Sequence, residues 1–180
     1  MTIEERLRTM EQTLSRMVGA IGGVVDEVRA HRFTVVDENG KCQAMLAMCE
    51  DGPGLGLLDE KGKTRVTLTA TKGGEASLVL FDEKGETQVV LGMTKTKPGL
   101  VFFDETGKPR VLLGMTNKGP SLGLVDEEGR TRVAVSIGKE LTGVVLYNEK
   151  RQQRVVLGIS ASEAALAICD ENGELVWSTP

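Results

Sequence analysis

The chain predicts a mainly β fold: an N-terminal coiled-coil helix followed by a repetitive antiparallel β-meander. Three observations carry that expectation. A short Asp-Glu-Xaa-Gly motif recurs at Asp37–Gly40, Asp59–Gly62, Asp82–Gly85, Asp104–Gly107, Asp126–Gly129 and Asp170–Gly173, with a degenerate copy at Asn148–Arg151. Its starts lie 22 residues apart, except for one step of 23 between Asp59 and Asp82. Self-similarity at such a period marks one supersecondary unit stacked many times. Between motifs, apolar residues alternate with period two, as in strands with one buried face. Before the first motif, residues 3–28 follow a heptad.

In the N-terminal segment, apolar residues fall at Ile3, Leu7, Met10, Leu14, Met17, Ile21, Val24 and Val28, in alternating steps of four and three. This is the a/d seam of a coiled coil. Thr2 is placed to cap the first turn, with Glu5 as its capping-box partner. Arg6 at g and Glu11 at the following e suit an ion pair between parallel helices, and Val18 and Val25 at e widen the stripe towards a trimer. Gly19, Gly22 and Gly23 weaken the helix, each by up to about 1 kcal/mol relative to Ala. The competing reading is one amphipathic helix packed on its own domain. The expected division is a coiled-coil helix over residues 1–30 and a β-repeat domain of seven hairpin repeats over residues 31–180.

The repeat shows its register most clearly around Asp104. Leu100 and Phe102 precede the motif; Val111 and Leu113 follow it. A two-residue type I′ loop at Thr106-Gly107 would oppose Leu100 to Leu113, Phe102 to Val111 and Asp104 to Pro109, with both apolar sets on one face. A three-residue loop with a bulge would set Phe102 against Arg110 and split them, so burial favours the shorter loop. The second connection has the same parity: Leu46 and Leu55, Leu91 and Leu100, Leu113 and Leu122, Val135 and Val144, and Leu157 and Leu166 are each nine apart. Leu68 and Leu78 are ten apart, and Gly73-Gly74 there predicts a bulge or longer loop. The sum is an up-and-down meander of about fourteen strands from roughly Phe33 to Pro180. On the opposite face Phe103 is expected across from Arg110, Tyr147 from Arg154, Val125 from Arg132 and Leu58 from Arg65, a solvent-facing surface screened by arginine stems. Trp177 takes an inward slot at the end of the core.

A single meander cannot bury its Leu/Val face alone; it closes into a barrel or meets partners. Three parallel chains could form the walls of a triangular β-prism with these faces inward. Two alternatives stand beside it: a monomeric β-solenoid, which would stack Asp59, Asp82, Asp104 and Asp126 into a repulsive ladder, and a closed barrel.

Composition narrows the function classes. Aromatics are only 3% of the chain against 40% hydrophobic residues, which suits thin repeated layers built from Leu, Val, Ile and Met. A net charge of −4 argues against a nucleic-acid partner, which favours a basic face. No apolar run reaches the ~18 residues of a membrane span. Glu4, Glu5, Arg6 and Arg8 stand where an export signal needs apolar residues, so a cytoplasmic or virion-associated location is expected. Cys42, Cys49 and Cys169 are odd in number and without metal spacing, which reads as reduced thiols.

Candidate chemistry is sparse. Adjacent Asp59 and Glu60 would point to opposite faces and not converge on one calcium ion; the expected role of the motif aspartates is to accept turn amides or a cross-strand hydroxyl such as Thr64 or Thr131. His31, the only histidine, could bind a metal only at a three-fold axis. Cys42 and Cys49 are too far apart for a zinc knuckle. Gly52, Gly54 and Gly56 are not a dinucleotide loop, because no helix follows. No catalytic, cofactor-binding or metal residue is assigned, and no cofactor is expected.

The repeat Leu-Xaa-Leu-Xaa-Asp-Glu-Xaa-Gly-Xaa-Xaa-Arg-Val-Xaa-Leu-Gly, met at Leu100–Gly114 with Phe102 in place of the second Leu, resembles one found in uncharacterised bacterial proteins. The closing Gly173–Ser178 resembles the end of such arrays. The resemblance covers about four-fifths of the chain and implies no activity. The plan of coiled coil then β-shaft is similar to trimeric phage fibres and adhesin stalks. The expected function is a non-enzymatic, self-assembling homotrimeric rod or scaffold. The alternative is a module binding a protein or glycan through its outer face; an enzyme working at a subunit interface is a third reading.

Overall fold

The computed structural model describes residues 2–22, 29–93, 97–139, 142–159 and 163–179. It divides into two units, Met1–His31 and Arg32–Pro180.

In the first unit α1 spans Ile3–Gly22. The expected capping box forms: the Glu5 amide donates to Thr2 Oγ1 at 3.2 Å and the Thr2 amide to Glu5 Oε2 at 2.7 Å. Ile3, Leu7 and Met10 form an exposed apolar stripe along the helix. Helical backbone continues through Gly19 and Gly22. The side chains of the seam at Leu14, Met17 and Ile21, with Val18, and residues Val24, Val25 and Val28 lie outside the described set.

The second unit is one fourteen-stranded antiparallel sheet in strict sequence order. Its strands are β1 Arg32–Val36, β2 Cys42–Cys49, β3 Gly52–Leu58, β4 Thr64–Ala70, β5 Ala76–Phe81, β6 Thr87–Met93, β7 Pro98–Phe103, β8 Pro109–Thr116, β9 Gly119–Val125, β10 Thr131–Ile137, β11 Thr142–Tyr147, β12 Gln153–Ile159, β13 Ala164–Cys169 and β14 Leu175–Ser178. β1 and β14 are the two edges and do not pair, so the sheet is open. Neither a closed barrel nor a parallel solenoid describes it. The Asp-Glu motifs join odd strands to even ones and therefore line up along one edge; the other connections line the opposite edge.

The predicted pairing of the apolar residues holds, whereas Asp104 does not face Pro109. Leu100 faces Leu113 and Phe102 faces Val111. Leu46 faces Leu55, Leu91 faces Leu100, Leu113 faces Leu122, Val135 faces Val144 and Leu157 faces Leu166. Met48, Met93 and Met115 sit opposite Pro53, Pro98 and Pro120. The mechanism differs from the expected one. The loop is not type I′: the Gly107 amide donates to the Asp104 carbonyl at 2.9 Å and the Asp104 amide to the Lys108 carbonyl at 2.9 Å, which closes a three-residue loop, Glu105-Thr106-Gly107. Gly107 has φ 75°, whereas Thr106 does not share the positive φ that a type I′ loop demands. Such a loop shifts the pairing by one. A second irregularity between Phe102 and Phe103 shifts it back, so that Phe103 faces Pro109 and Arg110 is the extra residue. The same compensation recurs, leaving Arg65, Arg132 and Arg154 bulged: Leu58 faces Thr64, Val125 faces Thr131 and Tyr147 faces Gln153. The expected arginine–aromatic pairs are corrected accordingly. The extra residue between Leu68 and Leu78 makes another three-residue loop, with Thr71 in the place of Asp.

The opposite face, expected to be the solvent-facing one, carries the second correction, while the leucine face is uncovered as expected of a lone meander. The leucine face carries three apolar rows yet stands open in the single chain: Leu113 is 48% exposed, Leu157 56% and Phe102 42%. Long side chains project from a sheet with nothing packed on them. Among the described residues only Ala47, Gly52, Val145 and Gly158 are buried, and all four lie on the opposite face. There a row of small residues, including Gly54, Thr69, Ser77, Gly92, Gly99, Gly114 and Ser121, crosses the sheet from strand to strand. Missing side chains let backbones close in: a Cβ on Gly143 would stand 2.2 Å from the Leu157 carbonyl oxygen. Trp177 pairs with Ile168, on the leucine face as expected, and is half exposed.

Candidate functional site

Three surfaces offer themselves: the row of turns, the small-residue face and the leucine face. In the turns, each motif aspartate works as a backbone clamp. Asp104 Oδ1 accepts the amides of Thr106 at 2.8 Å and Lys108 at 3.1 Å and the Thr106 hydroxyl at 2.7 Å; its Oδ2 accepts Arg110 Nη1 at 3.2 Å. Asp126 Oδ1 accepts the Glu128 and Arg130 amides, and its Oδ2 takes Arg130 Nε at 2.9 Å. Asn148 keeps the pattern, accepting the Lys150 and Gln152 amides at 2.9 and 3.0 Å. The turn-amide role expected for these residues is thus the observed one, while Asp59 turns its second oxygen to Arg65, at 3.8 Å, rather than to Thr64.

Electrostatics follow from these bonds. The Thr106 hydroxyl and then the Lys108 amide hold the Asp104 carboxyl down to about 2. At Asp126 partial desolvation acts upward, yet the Arg130 amide and guanidinium outweigh it and bring the carboxyl to about 2. Asp37, Asp59, Asp82 and Asp170 are lowered as well, chiefly by the amide four residues on. A carboxylate that already serves two or more donors is a poor metal ligand. Among the described residues no cluster of three or more His, Cys, Asp or Glu side chains is placed to hold a metal.

Turns are also stitched to one another, a feature that sequence reading missed. Lys63 Nζ donates to the Glu83 carbonyl at 2.8 Å, Lys108 Nζ to the Glu127 carbonyl at 2.9 Å, and Lys41 Nζ reaches the Glu60 carbonyl. Arg132 Nε reaches the Tyr147 carbonyl at 3.0 Å and Arg154 Nε the Cys169 carbonyl at 2.9 Å. For the lysines the signal available was a long polar side chain recurring four residues after the motif Asp, with a target two strands away; Arg132 and Arg154 stand six residues after the motif start and reach the end of the adjacent strand.

The remaining candidates do not converge. His31 is exposed before β1. Cys42 and Cys169 are half-buried and Cys49 is exposed, all as free thiols. Gly52, Gly54 and Gly56 lie in β3, with no helix after them. On the small-residue face a shallow groove of about 620 Å³ is lined by Ser77, Val90, Gly92, Val101 and Leu112 among others. No family model matches the chain, and no curated protein matches it in sequence. No described helix is long and apolar enough to cross a membrane, which says nothing about strands.

What the three surfaces can do therefore differs. The turns have spent their carboxylates on their own backbone. The leucine face is an apolar strip running across all fourteen strands.

Proposed function

We propose that this is a non-catalytic structural protein that assembles through its leucine face into a homotrimeric rod. The observation that supports the reading is the exposed apolar face. Fourteen strands at ~4.8 Å give a strip of roughly 65 Å by about 20 Å, on the order of 1,300 Å² per chain. That far exceeds the ~300–600 Å² patch of a typical monomer and falls in the range of obligate interfaces. The number three has its own support. Walls six to eight residues wide span roughly 20–27 Å; in a triangular prism each then stands about 6–8 Å from the axis, within reach of Leu and Phe, whereas four walls would stand at about 10–13 Å and leave a void. The helix, with Ile3, Leu7 and Met10 bare, would hold the three chains in parallel. Light scattering on the full chain at micromolar concentration tests the proposal: a three-chain mass is expected, and a monomer sinks it. The groove on the small-residue face, left outward in such a prism, favours a second reading, in which the rod also presents that face to a protein or glycan; binding on a glycan array that is lost in Gly99→Leu would support it.

A further inference from the structure

Resting on the trimer reading, we infer that each corner of the prism is a charge-matched seam between two copies, the Asp-Glu turn edge of one chain meeting the opposite edge of the next. The geometry forces the pairing of unlike edges. When three parallel sheets turn the same face to one axis, every corner joins one chain's turn edge to its neighbour's other edge. The sheet runs in strict order, so the height of every loop is fixed by its strands. Turn loops and opposite loops alternate in height by one strand.

The charges match across the middle of the sheet. Glu83 and Glu86, after β5, fall between the heights of Lys72 and Lys97. Glu105 falls between Lys97 and Lys118, and Glu127 and Glu128 between Lys118 and Lys139. Glu50 and Asp51, between β2 and β3, fall between the turn of Glu38 and Lys41 and the turn of Lys61 and Lys63. Glu163, before β13, lies beside the one turn in which the glycine is replaced by a cation, Arg151. Arg151 holds φ 62°, the only positive value outside glycine among the described residues. The chain thus accepts an unfavourable backbone conformation in a positive turn that has Glu163 on one side and Lys139 on the other. Like charges meet towards the two ends of the sheet: Glu38 precedes Glu50 and Asp51, Lys61 and Lys63 precede Lys72, Lys150 and Arg151 follow Lys139, and Glu171 and Glu174 follow Glu163. Complementary edges of this kind set partner register and suppress wrong alignments more than they add affinity. In register, the seam would align the three chains at the same height, and an axial slip by one repeat would bring Glu50 and Asp51 towards Glu83 and Glu86.

Paired cysteines test the seam. In a chain with Cys42, Cys49 and Cys169 replaced by serine, Glu105→Cys and Lys118→Cys are introduced together, and the protein is treated with a short bis-maleimide. The two positions flank β8, eight residues long, which at ~3.4 Å per residue keeps them roughly 27 Å apart within one chain. A link must therefore join copies. The expected product is a closed three-chain band on denaturing gels, with each single-cysteine variant giving no such band. A limit at two chains, or a ladder beyond three, overturns the closed seam. Absence of links in a protein that light scattering shows to be trimeric overturns the seam and leaves the trimer standing, whereas a monomeric mass overturns both. A second pair of variants needs no cross-link: Lys118→Glu is expected to lower the three-chain fraction at fixed concentration, and Glu105→Lys in the same chain to restore it. Loss without restoration, or no loss, counts against the seam.

Discussion

Arg151 shows how strongly the motif imposes its backbone. The degenerate turn has lost both Asp and Gly, yet Asn148 accepts the same two amides and Arg151 adopts the glycine conformation, φ 62°. A left-handed residue with a Cβ is strained, so Arg151→Gly is expected to stabilise the hairpin by roughly 0.5–1 kcal/mol, read from a thermal melt. A loss of stability instead would mean that the guanidinium makes a contact worth more than the strain. At Asp104 and Asp126 the same clamp has a pH signature. Unfolded, these carboxyls take up a proton near 3.8; folded, they resist until about 2. The unfolded chain therefore binds more protons between these values, and stability is expected to fall as pH drops from about 4 to 2. Asp104→Asn should flatten part of that fall in melts recorded across the range. An unchanged slope would show that the carboxylate is not held as its bonds imply.

At the scale of the hairpin, two bulges replace one short loop. The glycine of each motif supplies the positive φ that closes a three-residue turn, and the bulged residue near the turn end restores parity. Gly107→Val, at φ 75°, is expected to cost more than about 1 kcal/mol; an unaltered melt would contradict the turn. Space around Gly107 is open, so the penalty there is conformational. At Gly143 it is steric, because a Cβ meets the Leu157 carbonyl at 2.2 Å, and Gly143→Ala should loosen β11 against β12 even though Ala is a mild change.

The whole molecule decides what the leucines are for. Leu113 is 48% exposed in one chain, so in a monomer Leu113→Ala would cost little. In a trimer it is repeated around one axis, and a cost of roughly 2–5 kcal/mol per chain is expected, with unfolding midpoints that rise with protein concentration. Arg110→Ala removes one bond to Asp104 at 3.2 Å and should cost well under that. Equal losses, or midpoints that ignore concentration, would argue that the leucine face is not the contact.

Period and parity were legible without coordinates. Alternating Leu and Val at fixed offsets from Asp104 specify which residues face each other, because a slip of one residue reverses every side chain. Thr2 and Glu5 specify the helix start through bonds three residues apart. Loop type was not legible. The pairing Leu100–Leu113 is compatible with one short turn or with two bulges that cancel, and only the hydrogen bonds of Asp104 and the φ values distinguish them. Nor could the sequence show the stitching of Lys108 to Glu127, whose partner is set by sheet order rather than by neighbours in the chain. The sequence by itself determined that Leu46, Leu55, Leu91, Leu100, Leu113, Leu122, Leu157 and Leu166 share one face. The tertiary structure decided that the sheet stays open rather than closing into a barrel, since β1 and β14 do not pair and the face is left without a second layer.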